Sequence, residues 1–214
     1  MTVALEGALI GLVAGAGHVL AGADHLAVVS PLAASRKSGA WRTGFRWGVG
    51  HAGGVMVIGL AAALLREALP MEQVTAWSER AVGISLVAVG LWALTAVIRV
   101  LRSPDDDAGR HREALHGREG RAAFAVGLLH GTAGAGHVLG VLPALALPTR
   151  LGSIAYLLFF AAGTVAAMSA YATLMGYAGR RLSLSGRNAY AGLLAGCSAL
   201  SVFVGVYWLG LVGP

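Results

Sequence analysis

Six ionisable side chains stand inside apolar stretches of this chain: His18, Asp24, His25, His51, His130 and His137. Imidazole nitrogens with a carboxylate suit Zn, Ni, Co and Fe, whereas Cu(I) favours sulfur. Neutral imidazole also binds a divalent ion without adding charge of its own. The chemistry these residues predict is the binding of a divalent transition-metal ion. Asp24 either ligates directly or orients a histidine from behind. The lone Cys197 forms no internal disulfide and no paired-thiol redox site, and its apolar surroundings read as core.

The histidines recur in order. His18-Val-Leu-Ala-Gly-Ala-Asp24-His25 is followed by Pro31, and His130-Gly-Thr-Ala-Gly-Ala-Gly136-His137 by Pro143, at a constant offset of 112 residues. Both fit H-x-x-A-G-A-x-H-x(5)-P. A duplication kept for packing alone is the plain alternative, but packing does not call for histidines at matched places. The copies are unequal. Asp24 has Gly136 as its counterpart, and at the same offset His51 has Gly163. His18, Asp24, His25 and His51 therefore rank above His130 and His137.

Helix geometry bears on whether these groups can meet. His18 and His25 are seven residues apart, which in an unbroken helix is about 10 Å along the axis. They cannot then share an ion. Unwinding at Gly22, and at Gly134 in the second copy, would bring each pair together, with irregular backbone lining a polar cavity. Straight helices packed through their glycines are the alternative.

The elements that hold these residues are membrane helices. Hydrophobic residues make up 57% of the 214, charged residues 12%, and mean hydropathy is +0.71. Soluble domains carry about 25% charged residues. Thirty-two glycines fit close helix packing in lipid. Six spans are predicted, at 5–33, 44–65, 79–101, 122–147, 152–177 and 189–212, with a break or tilt inside the long first one. The first span has acidic Glu6 near its start and no basic residues before it, unlike a cleaved signal peptide. Pro31 and Pro143 are expected to end or kink their helices. Trp41, Trp47 and Trp208 read as interfacial anchors. Thr164, Ser169 and Tyr171 are candidates to line a pathway.

Thirteen of the 16 basic residues fall on one side of this topology and three on the other. The positive-inside rule makes the first side cytoplasmic and puts both termini outside a plasma membrane. The net charge of +6 lies in these short loops and span ends, so nucleic acid is not the expected partner. The predicted fold is an all-α integral membrane protein of six transmembrane helices in two inverted three-helix repeats. Residues 1–102 and 122–214 are the repeats, and 103–121 is a cytoplasmic linker in which His111 and His116 read as solvated.

At these residues the chain resembles a known family. His18-Val-Leu-Ala-Gly-Ala-Asp-His-Leu-Ala is similar to the first signature of the UreH-like branch of the NicO nickel/cobalt transporter superfamily. Gly44-Phe-Arg-Trp-Gly-Val-Gly-His51 resembles the next family segment. Gly127-Leu-Leu-His130-Gly-Thr-Ala-Gly and Leu139-Gly-Val-Leu-Pro143 resemble the second-half signature. The resemblance covers most of the chain and implies transition-metal transport, with nickel or cobalt as the usual ion. The better-characterised permeases have eight spans and four residues between the histidine and the Asp-His pair. This chain has five between His18 and Asp24, which turns His18 by about 100° relative to that pair. The family's site therefore carries over most directly to Asp24 and His25, and less directly to His18.

The expected function is transport of a divalent transition-metal ion, Ni2+ first and Co2+ next, as cargo with no bound cofactor. The six polar residues would bind it at the repeat interface near mid-membrane. The expected partners are the ion and the lipid bilayer, and a homo-oligomer is compatible with the sequence. No P-loop pattern is present, so transport would be passive or gradient-coupled. The chain is not expected to be an enzyme. The main alternative is a membrane-embedded metal-dependent hydrolase using a metal-bound water; a third is a metal sensor or assembly partner for a nickel enzyme.

Overall fold

The computed structural model describes residues 2–36, 38–65, 71–102, 116–133 and 135–211. Every regular element among them is an α-helix. In chain order these are α1 (Thr2–Ala21), α2 (Ala23–Ala34), α3 (Trp41–Leu65), α4 (Met71–Arg102), α5 (His116–Thr132), α6 (Ala135–Ala146), α7 (Arg150–Ser185) and α8 (Arg187–Leu211).

Four stretches are long and apolar enough to cross a membrane: Thr2–Ala21, Ala76–Arg102, Arg150–Ser185 and Arg187–Gly210. Leu5, Leu9, Val13, Leu158, Phe203 and Val206 point outward along three of them. So much exposed apolar surface is a liability in water but natural against lipid. α7 has 36 residues, about 54 Å, and so exceeds the roughly 30 Å hydrocarbon core. It starts where the Thr149 hydroxyl accepts from the Gly152 N–H at 3.1 Å. It stops at Gly186, whose φ of +140° favours glycine.

The bundle is interleaved. α1 packs chiefly on α7, α3 on α5 and on α7, and α4 on α8. Glycines make the approach close. A Cβ at Gly7, Gly11 or Gly15 would strike the carbonyls of Gly152, Tyr156 or Phe160, and one at Gly163 would strike that of Leu12. On the other seam, Gly50 and Gly54 face the carbonyls of Phe124 and Leu128, while Gly127 and Gly131 face those of Trp47 and His51. Between the seams lies a core built around Val19, Val28, Val29, Leu32, Trp47, Leu86, Met168 and Ala172. α7 also ties down both short helices. The Tyr171 hydroxyl pairs with Ser30 of α2 at 2.5 Å, and Tyr156 donates to the Gly140 carbonyl of α6 at 2.7 Å.

Several sequence expectations change. The predicted first span is two helices with one non-helical residue between them, Gly22. The fourth is α5 and α6, interrupted between Thr132 and Ala135; Gly134 lies outside the described residues. Of the 103–121 linker, residues 116–121 are already the first turns of α5, because the apolar run that follows extends its helix backward. His111 lies outside the described residues, as does the side chain of His116. Pro31 and Pro143 do not end their helices. Each sits inside its helix, which runs on for three residues, to Ala34 and Ala146. Trp41 is half exposed, as an anchor should be. Trp47 is fully buried, and Trp208 packs against the core. Cys197 is buried, as read. Ser169 spends its hydroxyl on the Val165 carbonyl one turn back.

Candidate metal centre

The site begins at a helix break. The Gly22 N–H closes the last turn of α1 on the His18 carbonyl at 3.2 Å. The Gly22 carbonyl opens α2 by accepting from the Leu26 N–H, also at 3.2 Å. Between these bonds the chain is extended, with Gly22 at φ −78° and ψ 106°. Any residue can adopt that conformation, so glycine is not required by the backbone. It is required by space. A Cβ at Gly22 would collide with the His25 ring, which lies over it. The break turns α2 away from α1 and folds His25 back toward His18.

His18 in the last turn of α1, His25 in the first turn of α2 and His51 within α3 converge. Each offers a ring nitrogen, and the three nitrogens lie within 4.8 Å of one another. The ring centroids are 5.0 Å apart for His18 and His25, 5.5 Å for His18 and His51, and 4.9 Å for His25 and His51. A metal bound at about 2.1 Å from nitrogen stands about 3.2 Å from the ring centroid. Two rings on one ion are then about 4.5 Å apart at a right angle and about 5.2 Å apart at the tetrahedral angle. All three observed spacings fall near these values, so ring rotation alone can bring the nitrogens onto one ion. His25 and His51 are buried, and His18 is partly buried.

Asp24 stands at the edge of this set. Its carboxylate is 3.7 Å from His25 Nε2, and its side chain is 13% exposed. A negative group in the first turn of a helix suits the positive end of the helix dipole. Asp24 thus stands in the first turn of α2 with its negative charge beside the His25 imidazole.

His130, in the last turn of α5, is 1% exposed. Its centroid is 6.2 Å from that of His25, and it is not part of the three-nitrogen set. His137 belongs to α6, but its side chain lies outside the described residues. The structure therefore joins His18, His25 and His51 and sets Asp24 and His130 beside them. His18 takes a full place in the cluster despite the extra residue before Asp24, because a broken helix does not carry the 100° phase difference of an unbroken one.

Two neighbours escape a reading by residue type. Trp47 stacks on His51 at 4.8 Å and 12°, and lies edge-on to His25 at 5.3 Å. It is four residues before His51, the spacing that puts side chains on one helix face. That spacing was the available signal. Phe160 lies 5.7 Å from His18 and carries no sequence signal of its own. Thr164, considered for a pathway, is fully buried, with its hydroxyl 3.3 Å from the Gly15 carbonyl it donates to.

No family model and no solved structure matches the chain. It is 36% identical over 183 residues to Chloroplast protein FOR GROWTH AND FERTILITY 1 of Arabidopsis thaliana, covering 80% of this chain and 50% of that protein. Chloroplast protein FOR GROWTH AND FERTILITY 2 of the same plant is 33% identical over 184 residues, covering 82% and 48%. The Urease accessory protein UreH of Bacillus sp. (strain TB-90) is 28% identical over 177 residues, covering 78% and 75%. The chain spans about half the length of the two chloroplast relatives.

Proposed function

We propose that this protein moves a divalent transition-metal ion, nickel or cobalt, across a membrane. One observation carries the reading: the break at Gly22 brings together His18 and His25, which an unbroken helix would hold apart, and both meet His51 of α3. Helix breaks at membrane depth belong to binding sites, since exposed backbone is tolerated there only where it lines a cavity. An all-imidazole set with one adjacent carboxylate and no thiolate suits Ni2+ or Co2+ better than Cu(I). Similarity to a urease accessory protein agrees with this reading, which the resemblance to nickel/cobalt transporters also favours.

The proposed topology has six spans in two inverted halves, with α1–α2 and α5–α6 as the interrupted first spans. The glycine seams support it. Gly15 against Phe160 has its counterpart in Gly127 against Trp47, and Gly163 against Leu12 in Gly50 against Phe124. The offset is 112 residues on the first helices and 113 on the second. Aligned by these contacts, the partner of His51 is Thr164 rather than Gly163. The second half would then hold a hydroxyl tied to backbone where the first holds a ligand. The site lies on the first half, beside His130 of the second, and rocking between the halves would expose it alternately.

Equilibrium dialysis of the purified chain against Ni2+ and Co2+ tests the site. One ion per chain, lost in His25→Ala at unchanged helix content, is expected. Absence of binding in the folded wild type overturns the reading.

A further inference from the structure

Four imidazoles gather at this centre, and three are spaced for one ion. The fourth, His130, is chemically prepared to join them. Its Nδ1 lies 3.0 Å from the Val126 carbonyl oxygen. A carbonyl only accepts, so Nδ1 carries the proton and Nε2 is the ring nitrogen through which the imidazole can ligate. Metal-binding histidines have this arrangement, with one ring nitrogen donating to a carbonyl and the other left to ligate. The ring is fully enclosed, with its centroid 5.9 Å from Trp47 and 6.2 Å from His25.

The His25 distance is informative. With a centroid-to-ion distance of about 3.2 Å, rings 6.2 Å apart share an ion only when nearly opposite, at about 150°. An approach of about 1 Å brings the pair to tetrahedral spacing. Only a small displacement separates His130 from coordination.

Resting on the transport reading, we propose that His130 is a closing ligand: the ion binds first to His18, His25 and His51 and then draws α5 in by about 1 Å, which completes a four-imidazole site. The three first ligands lie before the linker and the fourth lies after it, so the ion bridges the two halves. The shift passes directly to α3, because Gly127 and Gly131 set α5 backbone-to-backbone against Trp47 and His51. Ion binding and movement of the α3–α5 pair against α1–α2 are thereby one event. A histidine that merely fills the core through its bond to Val126 would have no such effect.

X-ray absorption on the chain loaded with Co2+ counts the imidazoles. Wild type is expected to show four and His130→Asn three. Asparagine keeps an N–H donor for the Val126 carbonyl and removes Nε2. The variant's Co2+ affinity should fall about ten- to a hundredfold, and its Co2+ uptake in proteoliposomes more than tenfold. A wild-type count of three overturns the proposal, and that count decides even if the variant does not fold. Unchanged uptake in a folded His130→Asn also overturns it while leaving the transport reading intact. Wild type that binds no Co2+ removes both.

Discussion

Replacing Asp24 by Asn separates the two things its carboxylate does. In the first turn of α2, its charge contributes about 0.3–1 kcal/mol to stability through the helix dipole, a metal-independent effect. As the charge beside His25, it acts on the bound ion. The carboxylate is 3.7 Å from His25 Nε2, which puts it about 6 Å from an ion held by that ring. At an effective dielectric of about 20, a divalent ion and a carboxylate at that distance attract by about 5–6 kcal/mol before relaxation. Outer partners of ligating histidines are worth about ten- to a hundredfold in affinity, or about 1.4–2.7 kcal/mol. Because Asn keeps the shape and a polar head, the smaller figure is expected. Isothermal titration of Ni2+ into wild type and Asp24→Asn gives the affinity ratio, and thermal unfolding without metal gives the helix-dipole loss. A ratio below threefold would mean that Asp24 serves only the helix dipole. A loss beyond about ten-thousandfold would exceed the whole Coulomb term and make it a direct ligand. Either result refutes the assignment.

Three further outcomes follow from the geometry. Gly22→Ala leaves the backbone conformation accessible but puts a methyl into the His25 ring. Ni2+ affinity should fall at least about tenfold at unchanged circular dichroism, and unchanged affinity would show that the ring is not held over Gly22. Trp47→Phe loosens the stack on His51, worth about 0.5–1.5 kcal/mol. It should also abolish most of the fluorescence quenching that Co2+ causes in wild type, whereas undiminished quenching would place the ion elsewhere. Gly15→Val and Gly127→Val occupy matched positions on the two seams. Each should destabilise by about 1–3 kcal/mol, read as loss of folded protein on heating in detergent, and a large effect at only one of them would argue against matched halves.

Much of this was legible in the sequence. The duplicated His18–His25 and His130–His137 segments and the low charge followed from residue types and spacing, which left the break at Gly22 as one of two readings. The rest required three dimensions. Trp47 reads as an anchor because tryptophan favours membrane interfaces, yet its place one turn before His51 puts it in the core. His18 looked out of phase only while its helix was assumed to continue. The His51 counterpart shifted by one residue once glycine contacts, rather than a fixed offset, aligned the second helices. Neither proline stops its helix outright: α2 and α6 each run three residues further, although each proline gives up its own bond to the carbonyl four residues back.

The central claim is that the His18–His25–His51 cluster carries an ion across a membrane, and flux tests it most directly. Proteoliposomes containing the chain and an internal metal-sensitive dye should take up Ni2+ or Co2+ down an imposed gradient, well above protein-free vesicles. His25→Ala, reconstituted to the same level, should fall to that background. Uptake by the variant equal to wild type, or no uptake by folded wild type that binds the ion, would contradict the account.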